Sequence, residues 1–343
     1  MKKIIIALMT LFPLAATAQT QVAQFNPGIA AEGVNYALPK TVLKAEVTAI
    51  KTVYTPGEFA KYANRYLHIS NVSSEPEVAW KIVKAEVYQE GTPDTLKCFT
   101  VKLKDKTIAP MVQLTNSGIL VSVNTNQDIT ERKIAASTSS NHKLDARQYL
   151  TEDILAATST AKMAELTAQE ILDIRESKNA IKRGQVESMP QDGASLKIVL
   201  DELNRQEEAL TQLFVGYCDT TTCSKIYSIL PEGDIDSKVL FRFSKKLGFV
   251  DADDLAGSPY CISVKDQHTV SLPSEKDAAK RKIQGLVYNM PSMAKVTLSG
   301  KEINISNDMP FAQFGTIDML NPTLFNKGVS TKVSFNPATG GIT

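Results

Sequence analysis

Ser159-Thr160-Ala161-Lys162 is the string in this 343-residue chain that most resembles a covalent catalyst. A lysine three residues after a serine sits one helical turn on, where its amine can take the proton of an attacking hydroxyl, as in penicillin-recognising enzymes. Tyr62-Ala63-Asn64 supplies a Y-x-N, but it precedes the serine, the reverse of the usual order, and no K-T-G follows. Ser159 also opens a helical pattern, where a hydroxyl satisfies amide donors that the first turn leaves unpaired. Capping is the preferred reading.

The remaining chemistry-bearing residues are scattered. His68, His142 and His268 are far apart, and there is no H-E-x-x-H, G-x-S-x-G, Walker loop or dinucleotide fingerprint. Asp251, Asp253 and Asp254 could serve acid/base work or calcium, yet they lack the glycine and closing glutamate of an EF-hand loop. A solvated loop is expected there. Cys98, Cys218, Cys223 and Cys261 make an even count that permits two disulfides in three connectivities. On one continuous strand Cys218 and Cys223 would point to opposite faces; a turn through Asp219-Thr220-Thr221-Thr222 would let them meet. No C-x-x-C pair or nearby histidine completes a zinc set. Tyr54, Phe59, Tyr62 and Tyr66 could form a platform for sugar rings, but their helical spacing favours a core stripe. No catalytic, cofactor-binding or metal-binding residue is assigned, and no cofactor is expected.

What must position these residues is a helical centre between β-rich blocks. Met163, Leu166, Ile171, Ile174 and Ile181 recur near helical spacing, and Leu196, Val199, Leu200, Leu203, Leu210, Leu213 and Phe214 form a second apolar face. Ser159 or Thr160 and Asp192 are the N-caps, with Gly184 and Gly216 closing the two helices. The short 184–192 connection predicts an antiparallel hairpin over 159–216. Before it, β signals run through 42–53, 78–88, 98–103 and 119–123, with a short helix at 58–67 after the Thr55-Pro56-Gly57 turn. After it, 224–230 and 238–243 read as paired strands around Pro231-Glu232-Gly233-Asp234, followed by strands at 285–299, 314–320 and 331–335. The predicted class is α+β: two β-rich domains, 33–124 and 217–343, flanking the hairpin, with 125–158 as linker. Gly33-Val34-Asn35-Tyr36-Ala37-Leu38-Pro39 echoes Gly285-Leu286-Val287-Tyr288-Asn289-Met290-Pro291. Either the two β blocks are related halves or seven positions agree by chance.

Met1-Lys2-Lys3, an apolar run to Leu14 and Ala16-Thr17-Ala18 form a secretory signal peptide over 1–18, with a loose leader at 19–32. The apolar run is too short to span a bilayer, and no later span is expected after cleavage. Loss of Lys2 and Lys3 takes the basic count from 38 to 36 against 37 acidic residues, a net charge near −1. That balance argues against a nucleic-acid partner. The expected setting is the periplasm or outer membrane, and the expected partner an envelope protein or a glycan.

Several strings also resemble a known family. They are Tyr36-x-Leu38-Pro39, Tyr54-Thr55-Pro56-Gly57-Glu58-Phe59-Ala60, Arg65-Tyr66-Leu67, Ile174-Arg175-Glu176-Ser177, Gln206-Glu207-Glu208-Ala209-Leu210, Gly285-Leu286-Val287-Tyr288 with Pro291, and Phe335-Asn336-Pro337-Ala338-Thr339-Gly340. Their order is similar to the exported bacterial domain of unknown function 4831 family, over nearly the whole chain after the signal peptide. The resemblance implies no activity, cofactor or catalytic residue. Cys218 and Cys223 depart from it, standing where Thr-rich strand residues are expected.

Overall fold

The structure is a computed structural model that describes residues 21–24, 33–102, 112–129, 132, 137–186, 192–272, 283, 285–321 and 331–343. The expected signal peptide lies outside them. The class is α+β, rich in strand with few helices.

Two long hairpins frame the molecule. β1 (Gln21–Gln24) pairs with β3 (Glu77–Lys102), which pairs along its length with β2 (Val34–Thr55). Part of the expected leader is therefore a strand. The 78–88 signal and the described part of the 98–103 signal, to Lys102, are one strand rather than two, because β2 lies opposite both. Along β2, Leu43, Ala45, Val47 and Ala49 are buried while their neighbours are not, the alternation of a sheet with one face on a core. In the second hairpin, β11 (Leu286–Ser299) pairs with β12 (Asn304–Leu320).

The two hairpins share an irregularity. From Ala37 to Pro39, β2 advances two residues while its partner moves five, from Cys98 to Pro93. From Met290 to Ser292, β11 advances two while β12 moves five, from Thr316 to Phe311. The breaks fall within one position of each other in the echoed heptapeptide, at Leu38 just before Pro39 in β2 and at Pro291 itself in β11, where the missing N–H interrupts the ladder. Ala37 donates its N–H to Gly118 O at 2.9 Å, and its counterpart Asn289 donates to Gly340 O at 3.1 Å. Both glycines have positive φ, 83° and 73°. A shared break, a shared offset and a matching glycine partner favour related halves over chance.

The sheets draw strands from both the 33–124 and the 217–343 stretches. β4 (Val112–Leu114), β5 (Leu120–Val123) and β13 (Val333–Ser334) form a three-stranded sheet from both ends of the chain. β6 (Ser139–Ser140) and β7 (Tyr217–Ile229) complete the first sheet, in the order β1-β3-β2-β7-β6. β8 (Ile235–Ser244), β9 (Gly248–Val250) and β10 (Ser258–Asp266) join the second hairpin, in the order β12-β11-β10-β8-β9. The expected pairing of 224–230 with 238–243 is thus overturned: β7 lies along β2 and β8 along β10. The Pro231 turn carries the chain across the sandwich, and Tyr227 stacks on Phe241 at 4.8 Å between the sheets. Leu43, Val47, Phe241, Ile262, Val296 and Phe311 belong to that core. Tyr36, Phe99, Leu120, Val287 and Phe335 belong to a second, beyond the proline breaks.

The helices have a third core. The 125–158 stretch holds β6, a 3₁₀ turn at Ala146–Tyr149 and α2 (Glu152–Leu155). The 58–67 segment is a 3₁₀ turn running into α1 (Ala63–Leu67). α3 (Thr160–Lys182) and α4 (Gly193–Val215) bury Ala164, Ala168, Ile171, Leu210 and Phe214 around Phe59. Glu207 of α4 pairs with Arg175 and Lys178 of α3. Burial opposes its ionisation, but hydrogen bonds and charge from Lys178 and Arg175 prevail and hold the carboxyl below its usual range.

Candidate functional site

The sites proposed from sequence resolve into structure-making roles. Ser159 is the N-cap of α3 and accepts from Lys162 N at 3.3 Å, while the exposed Lys162 Nζ reaches Glu165 at 2.9 Å. The serine and the amine therefore serve a helix mouth and a surface ion pair. In the aspartate loop, Asp254 Oδ1 accepts from Ala256 N at 2.8 Å and Asp254 N donates to Asp251 O, an exposed turn that Arg242 holds by donating to Ala252 O and Gly257 O. Phe59 is buried against Phe214, Tyr62 lies 6.0 Å from Tyr66, and the Tyr54 hydroxyl donates to Ser73 O and Val215 O. These four rings tie the 56–72 loop to the helices. His68 closes α1 in the left-handed region, the His142 backbone N–H donates to the Asp219 carboxylate, and His268 pairs with Asp266. Among the described residues, no three His, Cys, Asp or Glu side chains gather to hold a metal.

All four cysteines are free thiols. β7 is continuous, and its ladder with β2 is unbroken from Tyr217 to Thr55 through Ile229 to Leu43. The turn that would have joined Cys218 to Cys223 is therefore absent, and five positions along a strand place them on opposite faces. Cys98 lies in the β3 bulge, its thiol 3.5 Å from Asp94 O, and burial with the nearby Asp94 charge pushes its pKa up.

Among the described residues a concavity lies where the second proline break meets the C-terminal turn. A groove of about 400 Å³ is walled by Val270, Tyr288, Met290, Pro291, Pro310 and Ile342. Asn289, Asn336, Thr339 and Thr343 supply its polar atoms, and among the described residues no charged side chain lines it. The walls are fixed by backbone chemistry. Asn336 starts a tight turn in which Gly340 N donates to Asn336 O at 2.6 Å, and Gly340 takes the left-handed conformation that glycine tolerates best. A side chain there would strike Asn289 Nδ2 and Pro39 Cδ, each 2.8 Å from the position of a Cβ.

Asn289 is 1 % exposed and central to this junction. Its Nδ2 donates to Pro39 O at 3.0 Å and Thr339 O at 2.9 Å, linking the first hairpin, the second hairpin and the terminal turn. Among the described residues its Oδ1 has no partner, and that oxygen is itself buried. Beside it Thr41 knots the same seam: its hydroxyl donates to Ala338 O at 2.9 Å and accepts from Ala312 N, while Gln313 bridges Thr41 and Pro231. Tyr288 has a pKa raised by burial and by the neighbouring Asp318.

Two of the strings that carry the family resemblance, Gly285-Leu286-Val287-Tyr288 with Pro291 and Phe335-Asn336-Pro337-Ala338-Thr339-Gly340, meet in this groove. A family model, that of the domain of unknown function DUF4831, matches residues 32–343. The chain belongs to the DUF4831 family. No curated protein and no solved structure matches it. Sequence reasoning missed the groove because its wall is assembled from segments about 20 to 70 residues apart and follows neither helix nor strand period. The signal that could have found it is the echo, which places Asn289 where the first half has alanine.

Proposed function

We propose that this DUF4831 protein is an exported, non-enzymatic binding or scaffold protein of the cell envelope, periplasmic or outer-membrane associated, after removal of a signal peptide. The helices over 159–216 serve as an antiparallel hairpin that braces one end of the β framework. The groove is the observation that carries this reading. Its described lining is apolar, amide and hydroxyl in character, and among the described residues it holds no Asp, Glu, His, Lys or Cys to move a proton or attack a bond. Such a surface can hold a molecule by shape and hydrogen bonding, and has little with which to transform one. Among the described residues no helix is long and apolar enough to cross a membrane. That finding leaves strands aside.

The test is capture of the tagged protein from cross-linked envelope, with partners identified by mass spectrometry. Reproducible enrichment of one envelope protein or glycan supports the proposal. Recovery of the chain alone, together with turnover of cell-wall fragments by the pure protein, overturns it in favour of an enzyme.

A further inference from the structure

We propose that the protein self-associates through the edge of β3, a second copy of the chain adding its own β3 antiparallel across a two-fold axis at Val87. The inference goes beyond the groove reading and does not depend on it.

β3 is an edge over much of its length. β2 covers one side from Glu77 to Val101, while on the other β1 reaches only from Phe99 to Lys102. Near Trp80 the turn between β8 and β9 closes that second side, because Trp80 donates its N–H to Lys245 O at 2.7 Å. Between these two closures no strand among the described residues pairs with it. The side chains of Lys84 and Glu90 are each 62 % exposed, so this stretch meets solvent.

The ladder fixes which backbone groups face outward. In an antiparallel sheet successive residues turn their N–H and C=O to opposite neighbours. β2 pairs with β7 without a break, and Thr222, opposite Ile50, points away from β2 to donate to Thr138 O. Ile50 therefore turns towards β3, whereas Val47, Ala45 and Leu43 turn to β7. Their partners on β3, Ala85, Val87 and Gln89, are left facing outward. The outward Trp80 N–H, opposite Lys51, fits the same alternation. Outward amides and carbonyls on a strand are a template for another strand, which natural edges guard against with bulges, charges or covering loops. β3 is guarded at both ends, by the register shift at Val83 and by the terminal turn against Gly91. Between them its charges match a copy of itself.

With Val87 opposite its own copy, Ala85 faces Gln89 and about six backbone hydrogen bonds form. On the outer face Lys84 then lies opposite Glu90, twice over, at non-hydrogen-bonded positions where side chains come closest. Glu86 lies opposite Tyr88, whose ring carries the Arg132 guanidinium at 4.3 Å. Centring the pair on Glu86 or Tyr88 instead sets Glu86 against itself or against Glu90. Centring it on Ala85 runs into the Val83 bulge, and on Gln89 into the turn at Gly91. On the inner face Ala85 and Val87 fringe the sandwich core and are only half-buried, so the second copy also covers apolar surface.

Sedimentation velocity of the mature protein over a concentration series should show a monomer–dimer equilibrium with Kd on the order of tens of micromolar, as for small transient interfaces. Hydrogen exchange at high against low concentration should add protection at the Ala85, Val87 and Gln89 amides. Val87→Pro removes an N–H that faces outward and should leave a folded monomer. If that variant melts early, the charges decide. Lys84→Glu and Glu90→Lys should each weaken Kd by about tenfold or more, and the two together should restore it. A monomer at every concentration, a dimer indifferent to the single reversals, reversals that the double variant does not rescue, or protection confined to residues outside 84–90 would each overturn the proposal.

Discussion

Tyr36→Phe tests the physical link between the two hairpins. The Tyr36 hydroxyl donates to Val287 O at 3.1 Å and accepts from Val287 N at 3.0 Å, both in buried surroundings. Val287 lies opposite Met319 on β12, while on the other side β10 reaches only as far as Ala294. The phenol thus occupies the place of a missing neighbouring strand and satisfies both backbone groups of one residue. Phenylalanine would fill nearly the same volume, so the cavity term is small. The cost is an orphaned N–H and an orphaned C=O, at roughly 1–3 kcal/mol each, a sum of about 2–6 kcal/mol that relaxation should bring down to about 2–4 kcal/mol. Urea denaturation of wild type and variant would give the stability difference, and hydrogen exchange would report protection at the Val287 amide. Tyr288→Phe is the control: its hydroxyl makes one 3.3 Å contact to Asp318, and the loss should stay under about 1 kcal/mol. A Tyr36→Phe loss below about 0.5 kcal/mol with Val287 still protected would refute the reasoning, because another partner would then be satisfying those groups.

Ser159→Ala should cost about 0.5–2 kcal/mol through the lost cap, whereas Lys162→Ala should change stability by no more than about 0.5 kcal/mol, its ion pair being exposed; equal losses in a urea titration would show the two acting as a unit. At Gly91 an added Cβ would lie 2.0 Å from Pro337 O, so Gly91→Ala should cost about 3 kcal/mol or more by forcing the terminal turn off β3, while Gly233→Ala, with open space around it, should stay within about 0.5 kcal/mol by thermal melt. Burial pushes Tyr36 above its ordinary value of 10.0, and burial with the Asp251 charge pushes Tyr227 up to about 12. The folded state therefore keeps protons that the unfolded state releases. The stability from these neutral phenols is fully present below pH 10 and is lost as pH rises toward 12, which circular dichroism and phenolate absorbance should record as alkaline unfolding. Phenolate formation by all ten tyrosines near their ordinary value, with the fold intact, would contradict it.

The helices were the most legible part of the chain. Ser159 and Asp192 cap where a short oxygen-bearing side chain precedes an apolar period, and Gly216 closes α4 at positive φ. These are local rules acting within one turn. Strand existence was readable too, because β2 alternates, but its partners were not. Period two states which residues share a face and says nothing of which strand lies alongside. That is why β7 and β8, joined by an evident turn, were expected to pair and instead belong to different sheets.

Local chemistry in the sequence determined the caps, the alternation, the proline breaks and the likeness of the two hairpins, since each depends on neighbours within a few residues. The fate of Cys218 and Cys223 depended on whether 219–222 turned or ran straight, and only the ladder to β2 decided it. The groove at Asn289 likewise arose from long-range assembly: an amide anchored to carbonyls 250 and 50 residues away exists only once both hairpins and the terminal turn have met.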